Sequence, residues 1–121
     1  MRREQRLASK KDFEAVYKRG RTRSNRLLVL RVVPNELGRN RYGFAVGKRL
    51  GGAVVRNRVK RRLREGARLA PTEQGWDIVL IARHDAVDAD YQTLKRAMEE
   101  LLDRAHLLCN GGKRGFDDSG P

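Results

Sequence analysis

The sequence predicts an α+β fold: a two-layer α/β sandwich in which helices pack on a small mixed sheet, in the order α-β-β-β-α-β-α. A length of 121 residues allows one domain with a modest core. Apolar residues recur at helical spacing in three segments, and short runs that suit strands lie between turn residues. A strand, a helix and a strand follow one another in the middle of the chain, which is typical of a βαβ unit.

The first predicted element is a helix over residues 10–19, with Ser9 as its N-cap and Gly20 as a left-handed stop. Phe13 and Tyr17 lie one helical turn apart on its apolar face. They could anchor the helix in the core or form an exposed platform on which bases stack. The residues alone favour packing in the core.

Three strands are predicted next. Residues 20–25 are polar and basic and suit a short edge strand, whereas residues 27–33 are mostly apolar and suit a central strand. Arg31 lies in the middle of that central strand, so we expect one face of the sheet to be open there. In the next strand, residues 41–47, small residues alternate with large ones, which indicates that one face admits a close neighbour.

The second half of the chain predicts a helix, a strand and a helix. The first helix covers residues 53–69, and the apolar run 77–83 is a buried strand. Asp88 is the predicted N-cap of the last helix, over residues 89–108, which carries an apolar stripe.

The helix over residues 53–69 carries most of the charge. Between Lys48 and Arg68 there are nine Lys or Arg residues and one acid, in a chain of net charge +13. Like charges four residues apart cost an isolated helix roughly 0.2–0.5 kcal/mol per pair, and Arg61 with Glu65 is the one opposite pair at that spacing. The pattern predicts that a polyanion neutralises the cationic side of this helix. The alternative is a basic face that contacts only solvent. The other side carries an apolar stripe: Val55, Val59, Leu63 and Ala67.

The composition excludes several classes of function. No apolar run is long enough to span a membrane, and no signal peptide is recognisable. One cysteine, Cys109, forms no internal disulfide, and with two histidines it matches no zinc motif. Nucleophile motifs, a phosphate-binding glycine loop and a clustered carboxylate site are also lacking. We expect a cytoplasmic protein with one domain over residues 1–109 and a disordered tail over 110–121, without a bound metal, a small-molecule substrate or a membrane partner.

The positive charge makes a nucleic acid the expected partner. Cations cover well over half of the circumference of the basic helix, which is typical of phosphate contacts from several directions rather than of a narrow edge that reads base pairs. This favours RNA over DNA. Ten further Lys or Arg residues lie between Arg2 and Arg26 and predict a second contact surface, beside Phe13 and Tyr17.

The start of the basic helix resembles the signature of the bacterial ribonuclease P protein. Residues 51–61 read Gly-Gly-Ala-Val-Val-Arg-Asn-Arg-Val-Lys-Arg, and the family pattern is Gly-x-Ala-Val-x-Arg-Asn-Arg-x-Lys-Arg. The resemblance covers most of residues 6–108, including the N-terminal helix region 6–20, the segment 46–51 and the later strand 77–83.

This resemblance implies a role in a ribonucleoprotein that cuts the 5′ leader from precursor tRNA. The RNA subunit would hold the active site and its Mg²⁺, and this chain would bind ribonuclease P RNA and precursor tRNA without catalytic residues of its own. The βαβ crossover would be left-handed, against the general rule. Phe13, Tyr17 and Arg31 would line the cleft for the leader. The RNA subunit would contact Lys48, Arg49, Arg56, Asn57, Arg58, Lys60, Arg61, Arg64 and Arg68.

Two residues depart from the family pattern. Gly52 stands where the family often has Asn, which predicts a looser helix start because glycine is a slightly weaker N-cap. Arg31 stands where many relatives have an aromatic residue, so its leader contacts are expected to differ. The alternatives are a structural RNA-binding protein of ribosomal type, which the motif disfavours, and a self-sufficient metal-dependent nuclease, which the scattered carboxylates disfavour.

Overall fold

The structure, a computed structural model, describes residues 2–109. Its strands are β1 (Arg21–Ser24), β2 (Leu28–Pro34), β3 (Arg41–Ala45) and β4 (Trp76–Ala82). Its α-helices are α1 (Lys10–Arg19), α2 (Ala53–Leu69) and α3 (Tyr91–Arg104), and short 3₁₀ turns cover Arg3–Gln5, Lys48–Leu50 and His84–Asp88. The predicted order of helices and strands is confirmed, with strand ends shifted by one or two residues. The predicted tail, 110–121, lies outside the described residues.

The four strands form one mixed sheet in the order β1-β2-β4-β3. β2 pairs antiparallel with both β1 and β4, and β3 pairs parallel with β4. Because α2 connects the two parallel strands, β3-α2-β4 is the predicted βαβ unit. The α+β class with a small mixed sheet is confirmed, and the left-handed crossover stays an expectation from the resemblance.

The two faces of the sheet have different partners because side chains alternate along each strand. On one face, α2 and α3 pack on the sheet in the main core, whose fully buried members include Leu30, Leu63, Leu80, Leu94 and Leu101. On the other face, α1 lies over a smaller cluster formed by Leu7, Val16 and Val79. α2 and α3 therefore form the helical layer of the sandwich, and α1 lies across the sheet from them.

α1 begins as predicted but ends differently. The amide of Asp12 donates to Ser9 Oγ over 3.1 Å, which confirms Ser9 as the N-cap. The left-handed conformation predicted for Gly20 is wrong, since its φ and ψ are −72° and 145°. Close packing requires glycine there instead, because a Cβ atom would lie 2.4 Å from the carbonyl oxygen of Val16.

α3 is shorter at both ends than predicted. Asp88 is not its N-cap, because that residue belongs to the 3₁₀ turn His84–Asp88. Asp90 caps the helix, accepting a backbone hydrogen bond over 2.9 Å that lowers the pKa of its carboxyl. The helix ends at Arg104, and His106 follows with a positive φ of 63°. A residue other than glycine in this conformation is uncommon, so the sequence pattern did not signal the stop.

Candidate nucleic-acid interface

The packing of α2 determines which of its side chains face outward. Its buried residues are Val59, Leu63, Gly66 and Ala67, whereas Val55, predicted to share their stripe, is only half-buried. Gly66 is buried because Met98 of α3 packs against it. The Cε atom of Met98 lies 3.1 Å from where a Cβ atom of Gly66 would be. The basic side of α2 is therefore turned away from the core.

We call this side the basic face, and it contains the predicted RNA-binding residues of α2. At 100° per residue, six of these seven residues fall within an arc of about 160° on one side of the helix, whereas Arg56, near the helix start, lies toward the apolar stripe. Three of them are exposed, namely Asn57, Arg61 and Arg68, as are Lys48 and Arg49 in the turn before the helix. The other four are half-buried: Arg56, Arg58, Lys60 and Arg64.

Most cations of this region have no carboxylate partner. Arg56 Nε donates to the carbonyl oxygen of Gly51 over 3.1 Å, and Arg58 Nε is shielded from solvent without a partner within residues 2–109. Close like charges repel one another and favour an anionic partner. In the same part of the chain, no ion pair is formed by Lys48, Arg49, Lys60, Arg61 or Arg64.

Arg68 differs from its neighbours because it is paired. Its Nε donates to Glu65 Oε1 over 3.2 Å and its Nη2 to Oε2 over 2.5 Å. These hydrogen bonds hold the pKa of Glu65 below its ordinary value and the pKa of Arg68 above its own. The spacing in the sequence predicts Arg61 as the partner of Glu65, which is wrong. Arg68, three residues further on, pairs with the carboxylate, and Arg61 forms no ion pair within residues 2–109.

The N-terminus of α2 adds further positive potential. Gly52 is the N-cap residue and supplies no side-chain hydrogen bond, and the first turn contains no acid. Val54 in that turn is 80% exposed. Because the first amides of a helix lack partners within it and carry the positive end of its dipole, this end of α2 suits a phosphate as well.

A second candidate surface lies on the opposite face of the sheet, beside α1. Tyr17 is 41% exposed, which contradicts the prediction of a core position, and Phe13 is half-buried against the small cluster under α1. The guanidinium carbon of Arg31 lies 5.5 Å from the centroid of the Tyr17 ring. The structure therefore brings Tyr17 and Arg31 into contact and places Phe13 one helical turn away.

The floor of this surface is a row of half-buried apolar side chains. Val29 of β2 pairs with Ile81 of β4, which pairs in turn with Ala45 of β3. α1 covers the neighbouring row, where Val79 is fully buried, and leaves this row partly open. We call the space the α1 cleft: Phe13, Tyr17 and Arg31 on one side and this row as its floor. The predicted opening of the sheet lies two residues from Arg31, at Val29, because Arg31 pairs with Val79 in the row that α1 covers.

Arg83 was missed by the sequence reasoning. With Arg49, Ile81 and His84 it lines a cavity of about 530 Å³ beyond the carboxyl ends of β3 and β4. A signal was present, because a basic pair follows each of these strands in the sequence. Parallel strands end at the same edge of a sheet, which brings the two pairs together. The cavity extends the α1 cleft from its apolar floor to a cationic end.

The groups on these surfaces are suited to binding by charge and stacking. Residues 2–109 contain no group of three or more His, Cys, Asp or Glu side chains that could hold a metal ion. None of the helices in this part of the chain is long and apolar enough to cross a membrane. Guanidinium, ammonium and aromatic groups remain, and these are the groups that contact phosphates and bases.

Comparisons with known proteins agree with the fold and identify the family. The family model of ribonuclease P matches residues 1–106. The ribonuclease P protein component of Symbiobacterium thermophilum is 46% identical over 115 residues, 93% of this chain and 100% of that protein. The RNase P protein of Staphylococcus aureus has a TM-score of 0.79 and 32% identity, covering 87% of this chain and 98% of its own. That of Thermotoga maritima has a TM-score of 0.76 and 29% identity, covering 88% and 98%. The chain belongs to the ribonuclease P protein family.

Proposed function

We propose that this protein is the protein subunit of ribonuclease P and promotes the endonucleolytic removal of the 5′ leader from precursor tRNA. The basic face and the turn before it bind the catalytic RNA subunit. The α1 cleft binds the leader of the precursor. Family membership supports the enzyme, and the two separate surfaces support the division between its two RNA partners. The protein acts in the cytoplasm and leaves the chemical step to the RNA.

The observation that carries this proposal is the unneutralised basic face. Of the nine Lys or Arg residues from Lys48 to Arg68, all but Arg68 form no ion pair within residues 2–109. An RNA that contacts them removes their mutual repulsion and releases its own counterions, so association is favourable and salt-dependent. Contacts from several directions suit a folded RNA read through its phosphates. The protein thereby lowers the electrostatic cost of bringing the RNA subunit and the precursor together.

The α1 cleft suits a single strand. Its floor is apolar, one wall carries Tyr17 and Phe13, and Arg31 lies beneath the Tyr17 ring. Unstacked bases bind to aromatic and guanidinium planes, and basic groups follow the phosphates. The leader is present in the precursor and absent from mature tRNA, so binding in this cleft favours the substrate over the product.

Mg²⁺ is assigned to the RNA subunit in this proposal. A protein-bound Mg²⁺ needs oxygen ligands near ideal octahedral geometry, usually including one or two carboxylates. Residues 2–109 offer no cluster of this kind, so the donor set does not fit a resident Mg²⁺ ion. The share of the protein in the reaction is to bind and orient the two RNAs.

The decisive experiment is cleavage of a 5′-extended precursor tRNA at low Mg²⁺ with protein alone, bacterial ribonuclease P RNA alone, and both together. We expect cleavage only, or far more strongly, with both. Cleavage by the protein alone would instead reveal an active site within the chain. RNA binding without any stimulation of cleavage would favour a structural RNA-binding protein.

A pair of matched variants ties the result to the basic face. Arg61→Glu reverses an exposed charge of α2 that forms no ion pair in the described part of the chain, and it should remove most of the stimulation. Arg96→Glu makes the same change at an exposed position of α3, outside both candidate surfaces, and should leave stimulation unchanged. Equal effects of the two changes would show that net charge, rather than the basic face, matters.

A further inference from the structure

A small pocket opens at the outer edge of β3, between the N-terminal segment and α2. Its volume is about 200 Å³, and we call it the edge pocket. It lies where the layer of α1 and the layer of α2 meet at the side of the sheet. Its lining combines three aromatic side chains, Phe13, Tyr42 and Phe44, with three cations, Arg6, Lys60 and Arg64.

The edge of β3 at this pocket has unpaired backbone. β3 pairs with β4 along its inner edge, whereas along its outer edge the pairing within residues 2–109 is a single bridge between Arg6 and Tyr42. There the amide of Leu7 donates to the carbonyl oxygen of Tyr42 over 2.8 Å. Backbone groups two residues apart point to the same edge, so the amide and carbonyl of Phe44 face the pocket. Unpaired backbone groups at a strand edge can form hydrogen bonds with a ligand.

Aromatic rings reach the pocket from both layers. The rings of Tyr42 and Phe44 are parallel, with 3° between their planes and 6.2 Å between their centroids. Phe44 is half-buried, whereas Tyr42 is 8% exposed. Phe13 enters from α1 because Gly43 has no side chain: the ring Cε1 lies 2.4 Å from where a Cβ atom of Gly43 would be. Phe44 is therefore the ring with a face left for a ligand.

The three cations of the pocket converge without counter-charge. Within the described part of the chain, none of them forms an ion pair or a side-chain hydrogen bond: Arg6, Lys60 and Arg64. Lys60 and Arg64 are one turn apart on the flank of α2 that faces β3, and Arg6 approaches from the N-terminal segment. Three positive charges around an aromatic wall fit an anion attached to a flat apolar group.

We propose that the edge pocket binds one unpaired nucleotide of the RNA subunit. The base stacks on Phe44 and its polar edge pairs with the backbone of β3, while Arg6, Lys60 and Arg64 hold the flanking phosphates. A volume of about 200 Å³ leaves room for a single base. This inference rests on the proposed function, and it adds a stacking site to a surface otherwise expected to contact phosphates alone.

The test combines ultraviolet cross-linking of the holoenzyme with affinity measurements over a range of salt concentrations. Mass spectrometry of the cross-linked complex should find one nucleotide on the peptide that contains Phe44. Phe44→Leu keeps an apolar side chain but removes the ring, so it should weaken RNA binding about fivefold or more at every salt concentration. Phe44→Tyr keeps the ring and should bind RNA as tightly as the wild type. Arg6→Ala should instead reduce the slope of log affinity against log salt by roughly 0.7.

A matched control separates stacking from a general loss of stability. Trp76→Leu removes an aromatic side chain that packs on the same core but lies outside the edge pocket, and it should leave RNA affinity unchanged. If Phe44→Leu and Trp76→Leu behave alike, or cross-links occur on α2 and never on Phe44, the edge pocket is not a nucleotide site. Absence of any binding to ribonuclease P RNA by the wild type would overturn the proposed function and this inference together.

Discussion

Arg31 of β2 holds Tyr17 of α1 by both its ring and its backbone. The guanidinium carbon lies 5.5 Å from the ring centroid, and Nη2 donates to the carbonyl oxygen of Tyr17. Tyr17 lies in the last turn of α1, where carbonyl groups lack helical partners and a cation interacts favourably with the dipole. Arg31 therefore both caps α1 and positions the exposed ring of the α1 cleft. This is a positioning role that its place in the strand did not suggest.

Tyr17→Ala should weaken binding of precursor tRNA to the holoenzyme by about fivefold or more, because one stacking surface for the leader is lost. Binding of mature tRNA should not change, since it has no leader. Tyr17→Phe keeps the ring over Arg31 and should retain the preference for the precursor. Dissociation constants for the two tRNAs measure this directly. Equal losses for both would remove Tyr17 from leader recognition.

Arg61 and Arg68 are a natural matched pair for measuring phosphate contacts. Both are exposed on the basic face, but Arg68 is paired with Glu65 and Arg61 is not. With about five phosphate contacts, log affinity for ribonuclease P RNA should fall against log salt with a slope of roughly −3.5 to −4.5. Arg61→Ala should make that slope less steep by roughly 0.7–0.9, whereas Arg68→Ala should change it less.

Glu65→Gln tests the reason for that difference. Without the carboxylate, Arg68 becomes free to contact a phosphate, so RNA affinity should rise and the salt slope should become steeper. A fall in affinity would mean that the ion pair orders Arg68 for RNA rather than competing with it. Filter binding at four or more salt concentrations distinguishes the two outcomes.

The parts of the fold that could be predicted are those with local signals. α2 matches its predicted bounds because glycines precede it and an apolar stripe runs along it. Gly43 was predicted to admit a close neighbour, and the ring of Phe13 lies there. Asp88 was predicted as the N-cap of α3, which is wrong: Asp90, two residues later, is the N-cap, and both are residue types that favour this position.

The parts that could not be predicted depend on distant pairs. The contact of Arg31 with Tyr17 joins a strand to a helix before it, and the edge pocket brings Arg6 beside Lys60 and Arg64. The spacing of residues within one helix or strand does not show which residues of other elements they contact. The family resemblance placed Tyr17 and Arg31 in one cleft, whereas the positioning role of Arg31 follows only from its contacts in the folded protein.

A nearly buried ion pair connects the two strands that flank α2 in the chain. Asp77 of β4 is 5% exposed, and Arg41 of β3 binds it through Nε at 2.9 Å and Nη2 at 2.7 Å. The carboxylate raises the pKa of the Arg41 guanidinium above its ordinary value. The stabilisation that goes with a raised pKa is fully present when the pH is below the pKa of the group in the unfolded chain. It is lost only as the pH rises through the pKa of the group in the folded protein, so the pair contributes fully at neutral pH.

Asp77→Asn should lower the free energy of unfolding by about 3 kcal/mol, because it leaves the guanidinium without its main counter-charge. Asp12→Asn is the control: its carboxylate lies 3.4 Å from Arg41 and is 30% exposed, so the loss should stay below about 1 kcal/mol. Urea unfolding of the three proteins measures both values. Similar losses would show that the pair with Asp12, and not burial of Asp77, determines the stability.

A comparison of Arg58 with Arg62 distinguishes a role in RNA binding from a role in folding. They lie one turn apart on the same flank of α2 and both are half-buried. Arg62 Nη1 donates to the carbonyl oxygen of Ala89 over 2.8 Å, whereas Arg58 Nε is shielded without a partner within residues 2–109. A shielded donor without a partner costs about 1–3 kcal/mol, so the fold alone gains little from Arg58.

Arg58→Met keeps the apolar stem and removes that donor, so the free energy of unfolding should stay the same or rise by up to about 1 kcal/mol. Affinity for ribonuclease P RNA should fall, because a cation of the basic face is lost. Arg62→Met should instead lower the free energy of unfolding by about 1.5 kcal/mol, since it removes a charged donor from a carbonyl group. Urea unfolding and filter binding on both variants decide the matter. If Arg58→Met destabilises the chain as much as Arg62→Met while RNA affinity holds, Arg58 serves the fold and does not belong to the RNA-binding surface.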